Sequence, residues 1–335
     1  MENEAFSTMT ASTKYLIELR TATSFRIYVP IIDLVSIVAV FLSIYVIRQL
    51  KSKQIFNKSI THLLIASLVY GNAHNLSYTI IENWSLYRSF DYGGNVANMM
   101  FTSDECFFQH VINSCVRFLL IAIEIALNID RLVSILLQKY SYCYPNACGK
   151  FLNAAAVILS FSLGWILHRK GPLPGVETTS CFRETDITIN LCSTNLISYT
   201  ILAACCAILD CFMITYTWSD RKNGGYDLQS KYLRVEQHYS LLAVSLNSLL
   251  QLCITSTYTI SMYVLAIMSQ KNPEWGNANL IRWFYTTPYA TLLVPIQITA
   301  YIRWISYCRK RTITDFTRES ANQETYFSQL HKSWM

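Results

Sequence analysis

Chemically capable side chains line one face of a single apolar stretch, Phe101 to Gln138, FTSDECFFQHVINSCVRFLLIAIEIALNIDRLVSILLQ. At about 100° per residue, Cys106, His110, Asn113, Glu124, Asn128 and Arg131 fall within roughly 40° of Arg117 on an α-helix. The other faces are almost wholly Leu, Ile, Val, Phe and Ala. Ionisable groups in such a setting cost several kcal/mol unless paired or hydrated. The chemistry open to them is ligand contact, a polar network that holds a bundle together, or the lining of a permeation path. Arg117 and Glu124 stand about 10.5 Å apart along the axis, too far to touch, so each needs another partner. Asp33, Asp210 or a polar residue of the second, sixth or seventh apolar stretch can supply one.

Bond-making chemistry finds no matching motif. There is no G-x-S-x-G, no H-E-x-x-H and no phosphate-cradling glycine loop. Cys143 and Cys148 lack the partners of a zinc site, and Asn223–Asp227 reads as a turn. No catalytic residue, metal or cofactor is expected, and the chain does not read as an enzyme.

The elements that must position the stripe are membrane spans. Of the 335 residues only 14% are charged, against roughly 25% in soluble domains, and the apolar residues come in long blocks. The expected fold is an all-α membrane protein, a bundle of seven transmembrane helices. The spans are about 27–47, 60–81, 106–138, 151–167, 193–218, 239–268 and 280–304, between a tail at 1–26 and a polar tail at 305–335. At roughly 1.5 Å per residue the third span covers about 50 Å, more than the bilayer core of about 30 Å, so it is tilted or protrudes. Pro288 and Pro295 in the seventh span predict kinks. No cleaved signal peptide is visible in the first 26 residues.

Charge sets the orientation. Arg48, Lys51, Lys53 and Lys58, then Lys139 and Lys150, then Arg221, Lys222, Lys231 and Arg234, then Arg309, Lys310 and Arg311 fall in alternate loops. That places the N-terminus outside and the C-terminus in the cytoplasm. The formal net charge of +6 is read as these basic loops rather than as a nucleic-acid surface.

Local motifs narrow the class. Phe101-Thr-Ser-Asp-Glu-Cys106-Phe-Phe-Gln109 opens span 3 and Asp130-Arg131-Leu-Val-Ser134 closes it. Tyr226-Asp-Leu-Gln-Ser-Lys-Tyr-Leu-Arg-Val-Glu236 enters span 6, and Val294-Pro-Ile-Gln-Ile-Thr-Ala-Tyr-Ile-Arg303 ends span 7. In this order the motifs resemble the nematode serpentine receptors of class alpha (Sra) over about 27–311. Leu132 follows Asp130-Arg131, span 6 lacks a proline and span 7 lacks Asn-Pro-x-x-Tyr, so the likeness is not to rhodopsin-like receptors. The resemblance implies a G-protein-coupled chemosensory receptor in the plasma membrane of sensory neurons or their cilia. It would bind a small-molecule cue from the outer side and signal to a heterotrimeric G protein. The alternative is a seven-span ligand-gated channel or small-solute transporter.

On this frame His110, Asn113 and Arg117 are the candidate ligand wall, and Asp130 with Arg131 is the candidate switch for G-protein coupling. Cys106 and Cys181 both fall on the outer side, where a disulfide is permitted, with Cys192 the rival partner. Asn83 heads a glycosylation sequon that lies very close to span 2. Cys308, beside Arg309–Arg311, is a palmitoylation candidate.

Overall fold

The computed structural model describes residues 20–53, 55–91, 95–137, 146–169, 177–178, 181, 186–222, 228–271 and 283–333. These contain seven long helices: α1 Thr23–Lys53, α2 Lys58–Phe90, α3 Ser103–Leu136, α4 Ala147–Leu167, α5 Asp186–Lys222, α6 Leu228–Lys271 and α7 Thr287–Ser333. Four of them, α1, α4, α5 over Leu196–Ser219 and α6 over Gln237–Val264, are long and apolar enough to cross a membrane. Burial is inverted relative to a water-soluble domain. Phe41, Phe151, Ile158, Trp165 and Phe212 are exposed, whereas Glu82, Glu124, Asp130, Arg131 and Asp210 are buried. That distribution suits a bilayer, where polar groups turn inward to find partners.

The helices start and stop where local chemistry dictates. Asn57 caps α2 by accepting from the Ser59 amide, and Thr102 and Glu105 form a reciprocal capping box at the start of α3. Glu82 and Asn83, expected to lie just past span 2, instead sit inside α2, which runs on to Phe90. Their partners permit it. Arg20 Nη1 reaches Glu82 Oε2 at 3.1 Å with both side chains buried, and Asn83 Nδ2 donates to Asp33 at 2.9 and 3.1 Å. Pro288 does not kink span 7. It lies in the first turn of α7, where a missing N–H costs nothing, and only Pro295 is interior.

α1 and α2 are joined by an antiparallel ladder of polar contacts. Besides Arg20–Glu82 and Asp33–Asn83, the Tyr28 and Tyr78 hydroxyls meet at 2.8 Å and those of Ser36 and Thr79 at 3.2 Å. Asn72 Nδ2 donates to Ser43 Oγ at 2.8 Å. The buried residues Phe25, Val29, Ile32, Ser36, Ala39, Ser43, Val46 and Leu50 alternate steps of four and three, so one seam of α1 stays against its neighbours.

α3 lies against α2, α4, α5 and α6. Its seam with α4 has a different character. The buried face of α4 is Gly149, Ala156, Ser160 and Gly164, all small, which lets two backbones approach closely. A Cβ at Gly149 would stand 2.7 Å from the Ser59 carbonyl oxygen on α2. One at Gly164 would stand 3.2 Å from the Cys115 backbone nitrogen on α3 and would collide with its sulfur. Packing divides the chain at Pro295 into Met1–Pro295 and Ile296–Met335, and the sites below belong to the first unit. Gly164→Leu should separate α3 from α4, at a cost of about 1–3 kcal/mol or more. Its apparent Tm in detergent should fall by several degrees, and an unchanged melting curve would refute this account of the seam.

Candidate functional site

Seven residues separate Arg117 from Glu124, so two helical turns bring both to the same side of α3. They line a cavity of about 100 Å³ walled by α3, α5, α6 and the approach to α7. Tyr199, Gln251, Tyr258 and Tyr285 contribute polar edges, and most of the remaining wall is aliphatic. Arg117 Nη2 donates to the Tyr285 hydroxyl at 3.4 Å, and its guanidinium carbon stands 5.5 Å from that ring's centre. The Tyr285 hydroxyl also meets His74 Nε2 of α2 at 2.8 Å, and its ring packs on Tyr78 and Tyr258. Arg117 is thereby tied to α2, α6 and the segment before α7. A second cavity of about 30 Å³, lined by Ser67, Gly71, Leu120, Gln251 and Thr291 among others, has room for about one or two waters.

Toward the other end of α3, Asp130 and Arg131 are both buried and form an ion pair. The Ser59 hydroxyl of α2 donates to Asp130, and Gln237 Nε2 of α6 donates to the Ser134 carbonyl at 3.1 Å. The same end of the bundle carries Lys51 and Lys53 of α1, Lys58 of α2 and Lys150 of α4. Lys231, Arg234 and Glu236 lie in α6 with side chains outside the described residues, as do Lys139 and Cys143 altogether.

At the opposite end, Cys106 and Cys181 are joined by a disulfide with Cα atoms 4.9 Å apart. Both are buried with Ile81 and Phe101, against Trp84. Beside them Phe101–Thr102 pairs with Glu177–Thr178 as a two-residue antiparallel ladder. Arg88 of α2 clamps this corner. Its guanidinium lies 4.0 Å from the Phe101 ring centre, donates to the Met100 carbonyl and reaches Glu105 Oε1 at 2.9 Å. Partial burial pushes the Glu105 pKa up, but the Thr102 amide and Arg88 outweigh it and hold the carboxyl below its ordinary range.

A model of the family described as "Serpentine type 7TM GPCR chemoreceptor Sra" matches residues 6–334. The chain belongs to the serpentine class alpha (Sra) family. It is 67% identical over 330 residues to serpentine receptor class alpha-32 of Caenorhabditis elegans, covering 98% of both chains. It is 35% identical over 327 residues to serpentine receptor class alpha-33 of the same nematode, covering 96% of this chain and 98% of the relative. Sra is a receptor class rather than an enzyme family.

In this Sra chain the polar stripe of α3 divides among different surroundings. Arg117 lines the cavity. Asn113 is buried, and the His110 ring stacks on His168 at the end of α4, 6.3 Å between centres. Glu124 and Asn128 face α6, and Asp130 and Arg131 meet α2 and each other. Asn83 sits in mid-helix with its amide nitrogen engaged by Asp33 and the Thr79 carbonyl. Cys308 is partly buried on α7, and the Cys192 side chain lies outside the described residues. Tyr285, His74 and Tyr258, the partners around Arg117, are not singled out by sequence spacing. If the Cys106–Cys181 link is the stabilising feature of its corner, Cys106→Ser and Cys181→Ser should lower apparent Tm equally. The double variant should fall no further. Closing a loop of 75 residues contributes at most about 4.5 kcal/mol by chain entropy, less where the flanking helices are already held.

Proposed function

We propose that this protein is a chemosensory receptor that takes a small-molecule cue between α3, α5, α6 and the start of α7 and signals to a heterotrimeric G protein. The observation that carries the reading is the cavity itself: one guanidinium, Arg117, set in a largely aliphatic wall. Its ligand is compact and mainly apolar, with one acidic or hydrogen-bond-accepting group directed at Arg117. In this reading the disulfide end and the N-terminus face outside, and the lysine-bearing end and C-terminus face the cytoplasm of a plasma-membrane receptor. The relatives' chemoreceptor class supports placement in sensory neurons.

Asp130 and Arg131 are the coupling elements. Both are buried and paired with each other, and Asp130 accepts from Ser59, so parting α2 from α3 requires these contacts to be exchanged, as a two-state switch does. A G protein is the natural recipient of the charge released at that end.

Screening small volatile and soluble compounds on cells carrying the receptor and a G-protein reporter tests the whole reading. Once an agonist is found, Arg117→Leu should raise the half-maximal concentration by at least about tenfold with surface expression intact, since a hydrogen bond to a charge contributes about 1.5–3 kcal/mol. Arg131→Ala should reduce maximal signalling while leaving agonist affinity within a few fold. An epitope placed after Met1 should stain unpermeabilised cells. Agonist-evoked current that needs no G protein would instead make the protein a channel.

A further inference from the structure

We infer that Glu124, Asn128, Asp210, Asn247 and Ser248 form a binding site for a small monovalent cation of the Na⁺ type, held between α3, α5 and α6. All five side chains are at most 5% exposed. Glu124 has its donors: Asn247 Nδ2 reaches Oε2 at 2.6 Å and Ser248 Oγ reaches Oε1 at 2.7 Å. Asn128 Nδ2 donates to the Glu124 carbonyl at 3.2 Å and to Ser248 Oγ at 3.3 Å.

Asp210 has none. It lies beside Ser248 and near Glu124, but a hydroxyl carries one proton, and that of Ser248 is directed at Glu124. Both Asp210 carboxylate oxygens are buried without a hydrogen bond, as are Asn128 Oδ1 and Asn247 Oδ1. Four acceptor oxygens are thus gathered in one neighbourhood with nothing to accept from. Among the described residues neither carboxylate enters an ion pair. The α3 cations are seven residues away on either side, with Arg117 at Tyr285 and Arg131 at Asp130.

Leaving a buried carboxylate uncompensated costs several kcal/mol, so something positive belongs here. The donor set selects it. Carboxylate, amide and hydroxyl oxygens are hard ligands suited to alkali and alkaline-earth ions. Among the described residues no group of three or more His, Cys, Asp or Glu could hold a metal ion, so an ion here is bound largely by neutral oxygens. Glu124 is hydrogen-bonded at both oxygens and Asp210 at neither, so Asp210 is the open carboxylate and one monovalent cation matches its charge. The neutral amide oxygens complete the shell. Glu124 and Cys206 also line the larger cavity, which gives an ion a route from the cue's site to its own.

The test uses the full-length protein in phosphatidylcholine nanodiscs. At equal ionic strength, NaCl should raise apparent Tm over choline chloride in a saturable way, and radiolabelled Na⁺ should bind at one site per chain. Asp210→Asn, neutral and isosteric, should lose the Na⁺ increment and weaken Na⁺ binding at least tenfold. Ser248→Ala, which removes a hydroxyl ligand without touching charge, should weaken binding by a smaller factor. Wild-type protein with equal Tm in both salts and no saturable Na⁺ binding would overturn the inference, in favour of two protonated carboxyls. Full Na⁺ binding in Asp210→Asn would overturn it too, and stabilisation by Ca²⁺ alone would overturn the monovalent assignment.

Discussion

A carboxyl group inside a membrane bundle must find compensation, and Glu124 finds it on a different helix. Asn247 and Ser248 of α6 are adjacent in sequence and reach separate oxygens of the one carboxylate. A two-point contact of this kind fixes both the height and the rotation of α6 on α3. Six residues further along α3, Asp130 is joined to α2 by one contact, through Ser59. Between them these carboxylates set where two neighbouring helices must stand. A carboxylate stripped of its partners in hydrocarbon costs more than any single packing contact returns.

The remaining seams of α3 use other physics. Against α4 the buried face is small, with Ala156, Ser160 and Gly164 allowing backbones together, and polar contact comes at the helix end, where the Ser114 hydroxyl meets His168 at 2.9 Å. Dispersion then acts at short range over the whole seam. The helix thus meets one neighbour by shape and others by charge. Arg117 and Tyr285 line the cavity that α3 shares with α5, α6 and the start of α7.

Much of this is legible in the sequence. The repeat of about 100° gathers Arg117, Glu124, Asn128 and Arg131 on one face, and an ionisable group in an apolar run announces that partners exist. It does not name them. Tyr285 lies 168 residues from Arg117, and it is one of 22 tyrosines, so no local pattern marks it. The same distance hides the true length of α2. Glu82 and Asn83 look like the edge of a loop until Arg20 and Asp33, 62 and 50 residues away, are seen to absorb them. Pro288 misleads for a local reason: without knowing where α7 begins, a helix-starting proline cannot be told from a helix-bending one. The two-residue ladder of Phe101–Thr102 with Glu177–Thr178 is too short to carry any strand pattern.

The polar ladder between α1 and α2 bears on how the chain is made. α2 is not among the four helices apolar enough to enter a bilayer by composition, and it carries Asn72, His74, Asn75 and Glu82. α1, just before it, carries the matching groups at Asp33, Ser36 and Ser43, with Arg20 preceding. A nascent α2 that folds back on α1 hides Asn72 and Glu82 at once, while His74 and Asn75 find Tyr285 and Thr291 only later in the chain. Physical cost therefore favours α1 and α2 entering lipid together as a helical hairpin, with α1 shielding part of its successor's polar face.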